Sequence, residues 1–454
     1  AYLIEAKDHT MKKFIETLKN IWKIEDLRAR ILYTLGIILI YRLGTHIVLP
    51  GIDPEIISEL ANRQQGGTGI MDLLNLFTGG AFARASIFGL GIMPYISASI
   101  VVQLLGIAVP YFQRLQREGE SGRRKINQIT RYLTVAILIP QGLSYITSLR
   151  YQLPAEAFSE NFSRMAAMVI LTAGTMFIMW LGERITDKGI GNGISLIIMI
   201  GIIARMPQSL AMEFSGRLDS GGLISFVVEI LILFVVFMGS ILLVQGTRRI
   251  PVQYAKRIVG NKQYGGVRQY IPLKVNAAGV MPIIFAQAFM FIPITVAGFA
   301  KADAASGFAA VFSNPVGFWY NFTSATLIIL FTYFYTAITV NPTQMAEDMK
   351  KNGGFIPGVK PGRKTAEFLD TVMSRITLPG SFFLAIVAIM PAFAMMTGIN
   401  QSFAQFFGGT SLLIMVGVIL DTLQQIESHL LMRHYDGLTK SGRIKGRTGS
   451  AAAI

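Results

Sequence analysis

LISFVVEILILFVVFMGSILLVQGTRR, residues 223–249, decides the fold class. The apolar run from 222 to 245 exceeds the roughly 20 residues a helix needs to cross a hydrocarbon core. It ends on Arg248 and Arg249, and a basic pair at one end of such a run marks the side that stays in the cytoplasm. Further apolar runs lie on either side, at 28–48, 86–109, 128–147, 164–183 and 193–205, then at 276–299, 318–340, 379–397 and 408–428. The fifth, 193–205, is short and begins on glycines, so it is expected to enter the membrane from a loop.

Ten such runs in 454 residues, with 52% apolar and 15% charged residues and a mean hydropathy of +0.51, exclude an ordinary soluble domain, which carries about 25% charge. The predicted fold class is an all-α integral membrane protein of ten transmembrane helices. Ten divides into two halves of five, 28–205 and 222–428, which an odd count per half would relate by inversion. A cytoplasmic segment, 1–27, precedes them and a tail, 429–454, follows. Residues 12–27 read as an amphipathic helix on the membrane surface, with Phe14, Leu18, Ile21 and Trp22 on one face.

The net charge of +15 is distributed on one side. Arg114, Arg117, Arg123, Arg124 and Lys125 follow the second run. Arg248, Arg249, Lys256, Arg257, Lys262, Arg268 and Lys274 follow the sixth. Lys350, Lys351, Lys360, Arg363, Lys364 and Arg375 follow the eighth. The opposite loops hold scattered cations such as Arg63, Arg150, Arg217 and Lys301. Both termini are therefore expected in the cytoplasm. The loops 246–275 and 341–378 mix charge with exposed apolar groups such as Ile258 and Phe355, and a topology signal needs only charge. Partner docking is the reading they favour. Residues 1–25 show no cleavable signal peptide. Met11 reads as a start, leaving 1–10 as an upstream extension or scar.

Catalytic chemistry finds no support. Cysteine is absent, and His9, His46, His429 and His434 show no metal-ligand spacing. No nucleophile elbow or phosphate-binding loop is present. Asp421 reads as a solvated or hydrogen-bonded carboxylate, and Arg42 as a snorkelling cation. No enzyme activity, metal or cofactor is expected. Residues 69–78, flanked by Gly66-Gly67 and Gly79-Gly80, are too short to span and too apolar for water. A re-entrant element buried in the protein fits them. Ile92 and Ile96 share a helix face, as do Ile194 and Ile198; spacing alone reads as ordinary packing. Pro94 lies between the first pair and is expected to interrupt helix hydrogen bonding.

Eight strings carry a resemblance that runs from about Ile24 to Tyr435: RASIFGLGIMPYISASI (84–100), GESGRRKI (119–126), AGTMFIMWLGE (173–183), ITDKGIGNGISL (185–196), YAKR (254–257), PLKVNAAGVMP (272–282), NGGFIPGVKPG (352–362) and FGGTSLLI (407–414). In them the chain resembles the SecY family of bacterial protein-conducting channels. The resemblance implies two pseudo-symmetric five-helix halves, hinged outside between segments 5 and 6, around an hourglass pore. It implies a pore ring of Ile92, Ile96, Ile194, Ile198, Ile284 and Ile414, and a plug that includes Ile70, Met71, Leu73, Leu74, Asn75 and Phe77. Segments 2 and 3 against 7 and 8 would form a lateral gate, with Gln103 and Asn276 as its polar pair. Arg248, Arg249, Lys256, Arg257, Lys360, Arg363 and Lys364 would bind the SecA ATPase or the ribosome. SecE and SecG subunits, signal peptides, nascent polypeptides and membrane lipids would be the other partners, in the bacterial inner membrane. Lys360 stands where the family usually has Arg, keeping the charge and losing the planar fork.

The physics fits. An apolar constriction excludes water and ions yet deforms around a passing chain, and a side opening lets apolar segments partition into lipid. A secondary transporter with an inverted repeat is the alternative, and would need a compact polar site at the midplane. A membrane enzyme would need a paired acid and base.

Overall fold

The computed structural model describes residues 22, 24–56, 78–154, 157–158, 163–219, 222–254, 257–259, 262–264, 268–286, 289–290 and 316–441. Its long helices are α1 (Glu25–Gly44), α2 (Met93–Ala108), α3 (Pro110–Arg117), α4 (Glu120–Gln152), α5 (Arg164–Lys188), α6 (Gly193–Asp219) and α7 (Leu223–Gln245). After a small sheet come α8 (Phe318–Thr339), α9 (Pro342–Lys351), α10 (Arg363–Met396), the single turn α11 (Gln401–Ala404) and α12 (Gly409–Ser441).

α7 shows what surrounds this bundle. Its mean hydropathy is 2.9, yet only 22% of its apolar window lies inside the protein, and Ile224 is 83% exposed. A helix apolar on every side and turned outward is stable only against hydrocarbon. Six helical stretches among the described residues are long and apolar enough to cross a membrane, and α2 with α3, bent by 100°, would make a seventh if taken as one span. The protein is a multi-pass membrane protein.

Nine of the ten apolar runs fall on described helices. The run at 276–299 does so only through residues 281–286 and 289–290. The second run needs correcting. Its helix starts at Met93, because Pro94 occupies the first turn, where a missing N–H costs nothing. Pro94 therefore opens α2 rather than interrupting it. The fifth run is not short: α6 has 27 residues and runs through Pro207 to Asp219. Its polar end is held by buried Glu213 paired with half-buried Arg217, which hydropathy cannot count as helix. The plug residues, Ile70 to Phe77, and the amphipathic stretch 12–21 lie outside the described residues.

The fold is not all helix. β1 (Thr247–Tyr254) pairs antiparallel with β4 (Arg268–Lys274), from Thr247↔Lys274 to Gln253↔Arg268. Its other edge pairs with β5 (Gly354–Phe355) through Gln253↔Phe355 and Tyr254↔Gly354. β2 (Arg257–Val259) and β3 (Lys262–Tyr264) form a hairpin. Arginines and Pro251 disguise β1 as a loop. Pro251 is tolerated because β5 reaches only residues 253 and 254, leaving β1 an edge strand where the N–H is missing. Under the sheet Ile250, Val252, Leu273, Met349, Ile356, Leu369 and Met373 form one core. The two cytoplasmic loops of the sequence reading are thus one packed head.

Candidate functional site

Residues 78–92 reach the centre of the protein as irregular backbone. Gly79, Gly80 and Gly91 take φ values of 63°, 90° and 56°, which glycine adopts without penalty. A Cβ at Gly91 would stand 2.7 Å from the Thr78 methyl. Such backbone needs internal partners at membrane depth, and it has them. Leu49 N–H donates to the Ala85 carbonyl and Ile87 N–H to that of Ile47, both at 2.9 Å. The Tyr145 hydroxyl donates to the Phe82 carbonyl at 2.7 Å. Arg42 does not snorkel freely: its Nη1 donates to the Gly79 carbonyl at 3.4 Å.

This stretch delivers Ile92 to the N-cap of α2, and the Ile92 carbonyl accepts the N–H of Ile96 at 3.1 Å. Opposite it, the loop before α6 is pinned from three sides. Ile190 N–H donates to Thr34 Oγ1 (3.1 Å), Gly191 N–H to Gln425 Oε1 (2.8 Å) and Gly193 N–H to Thr186 Oγ1 (2.9 Å). The Asn192 side chain then caps α6, its Oδ1 accepting from Ile194 and Ser195 N–H at 3.2 and 3.3 Å. A Cβ on Gly193 would overlap the Gly182 carbonyl oxygen, so only glycine lets α5 and α6 approach this closely. That approach sets where Ile194 and Ile198 stand. Ile414 lies on the second turn of α12, whose start is tied by Ser411 Oγ to the Gln405 carbonyl at 2.7 Å.

The result is one apolar cluster. Ile92, Ile198 and Ile414 are buried in it at 4, 7 and 8% exposure, and Ile96 and Ile194 pack against it. Met199, Phe403, Phe406 and Phe407 are among its other buried members. Ile284 is half-buried and is not part of this cluster; its neighbour Ile283 belongs to another, with Leu384 and Leu412. Five of the six expected ring residues thus come together from α2, α6 and α12. An aggregate of isoleucines offers water no hydrogen bond.

Gln103 and Asn276, the expected polar pair, share no hydrogen bond. Gln103 Oε1 accepts from the Tyr335 hydroxyl of α8 at 3.2 Å, and its Nε2 donates to Ser99 Oγ at 3.4 Å. Asn276 Oδ1 is buried without a partner. On the head, Arg248, Arg249 and Lys360 are exposed. Arg363 and Lys364, also exposed, lie 3.4 and 2.9 Å from Glu367. The hydrogen bond and charge of Lys364, with Arg363 beside it, hold the Glu367 carboxyl below the usual carboxylate range. Lys256 lies outside the described residues, and Arg257 opens β2. Asp421 is exposed. Glu183 takes a bidentate bond from Arg131 at 3.1 and 2.6 Å, joining α4 to α5. No metal-binding group occurs among the described residues.

Sequence reading missed a buried ionic clasp. Arg217 Nε donates to Glu213 Oε1 at 2.9 Å, and its Nη2 lies 2.7 Å from Glu229 Oε1 on α7. The second oxygen of Glu213 accepts the Asn400 N–H at 2.8 Å. The Glu213–Arg217 spacing of four was the available signal. Tyr335 carried no signal at all.

A multi-pass helical protein whose isoleucines gather in one buried apolar cluster invites comparison with membrane channels. The fold agrees: the chain superposes on a structure titled "The structure of a protein conducting channel" with a TM-score of 0.58 at 17% identity, covering 92% of this chain and 95% of that one. It superposes on Sec61 in the canine ribosome–channel complex with a TM-score of 0.54 at 17% identity, covering 92% and 95%. Residues 86–423 match the SecY family profile. The protein translocase subunit SecY of Streptomyces coelicolor is 44% identical over 439 residues, covering 92% of this chain and 98% of the relative. That of Mycobacterium bovis is 41% identical over 448 residues, covering 95% and 100%. This chain belongs to the SecY family, and its function is that of a protein translocation channel.

Proposed function

We propose that the isoleucine cluster of Ile92, Ile96, Ile194, Ile198 and Ile414, joined by Ile284 from outside it, is the channel's seal, a ring that closes around unfolded polypeptide. The observation that carries this is the convergence of five of these side chains from three helices separated in sequence. In this reading ten helices span the bacterial inner membrane with both termini in the cytoplasm, in two halves hinged at the α6–α7 turn. Residues 69–78 plug the outer side. The seam beside Gln103 and Asn276 opens sideways, releasing apolar segments into lipid. SecE and SecG complete the channel. The head formed by β1, β4, β5 and the start of α10 presents Arg248, Arg249, Lys360, Arg363 and Lys364 to SecA or to ribosomal RNA, whose phosphates attract such a surface. The canine Sec61 neighbour is a channel in complex with a ribosome.

The test is ion conductance across bilayers. Ile92→Asn with Ile198→Asn should give a persistent leak, because amide side chains hold a water column. A double variant as tight as the parent would mean that these side chains are ordinary core.

A further inference from the structure

We propose that Tyr335 is a positioning residue that latches the sideways seam and so sets how apolar a segment must be to open it. This rests on the lateral-gate reading above and adds to it the residue that holds the gate shut.

The bond joins positions 232 residues apart, on helices of opposite halves. Gln103 is exposed on α2 and Tyr335 half-buried on α8, and in the lateral-gate reading the pair faces lipid. There a glutamine amide has few alternatives to its protein partners. The ring of Tyr335 is held independently of its hydroxyl. It packs 6.4 Å from Phe285, which in turn lies 5.7 Å from Phe331. Aromatic packing therefore aims the hydroxyl across the seam. Asn276, expected as the partner, does not bond to Gln103. Opening the seam breaks the tyrosine–glutamine bond, and the entering segment must offset that loss by burying apolar surface.

Tyr335→Phe removes one oxygen and keeps the ring packing. Interhelical hydrogen bonds in membranes are of a size that makes the expected change about three- to fifteenfold in the closed-to-open ratio. The chain has no cysteine, so spin labels can be placed on Val101→Cys and Phe334→Cys alone, both positions being exposed. In the full channel in lipid, with a translocating polypeptide as the opening stimulus, the labels report the α2–α8 separation. Tyr335→Phe and Gln103→Leu should each enlarge the wide population, and the double variant should enlarge it no further. Export of a substrate with a shortened apolar signal should rise in parallel. Populations in Tyr335→Phe that match the parent, or additive effects in the double variant, overturn the latch. A parent that exports polypeptide while its labels never separate overturns the sideways gate as well.

Discussion

Arg217→Met should destabilise this protein more than the loss of any surface cation. The guanidinium is 20% exposed and serves two carboxylates that are 4% and 8% exposed. Removing one partner of such a buried arrangement costs about 3–5 kcal/mol, because the remaining charges lose their counterion without regaining water. That is a factor of roughly 10²–10⁴ in the folded-to-unfolded ratio. Reversible unfolding in mixed micelles measures it directly. A companion variant separates charge from packing. With Glu213→Gln and Glu229→Gln added to Arg217→Met, no charge remains in the clasp, and the amide oxygen introduced by Glu213→Gln can still accept the Asn400 N–H. Most of the loss should return, to within about 1 kcal/mol of the parent, as when buried ion pairs are replaced by neutral groups of similar volume. An Arg217→Met variant as stable as the parent, or a triple variant no better than the single one, would refute the clasp.

Gly193→Ala drives a methyl into the Gly182 carbonyl. It should displace Ile194 and Ile198 and raise resting conductance in whatever fraction folds, read in bilayers after size-exclusion purification. Deleting residues 69–77 is expected to leave a folded protein with transient leaks; an unfolded product would make the segment structural. Reversing Arg248 and Arg249 to Glu, with Lys256 and Arg257, should leave insertion normal by protease protection and weaken SecA or ribosome binding, most clearly at low salt. Equal binding by parent and variant at about 50 mM salt, where screening is weak, would reduce these charges to a topology signal.

Much of the bundle was legible because hydrocarbon imposes one rule on every spanning helix, and runs such as 223–245 obey it plainly. What escaped was whatever hydropathy cannot weigh. The end of α6 was invisible because Glu213 and Arg217 count as polar until they are seen to satisfy each other. β1 was hidden by its arginines and Pro251, since its short alternation of Ile250 and Val252 gains meaning only from the core below. The ring residues could be named only through family resemblance; isoleucines at a spacing of four are common on any apolar helix. Tyr335 could not be found at all, because a hydrogen bond across 232 residues leaves no local pattern.

The loop before α6 has a consequence in time. Its Gly191 N–H waits for Gln425, 234 residues further along the chain. At about 5–20 residues per second, synthesis separates the two by on the order of 10–50 s. Throughout that interval Ile194 and Ile198 exist without the last helix that steadies their loop or the Ile414 that packs beside them. Under the proposed seal, a chain arrested before α12 would hold an incomplete ring in the membrane, and tightness to ions would come late in its synthesis.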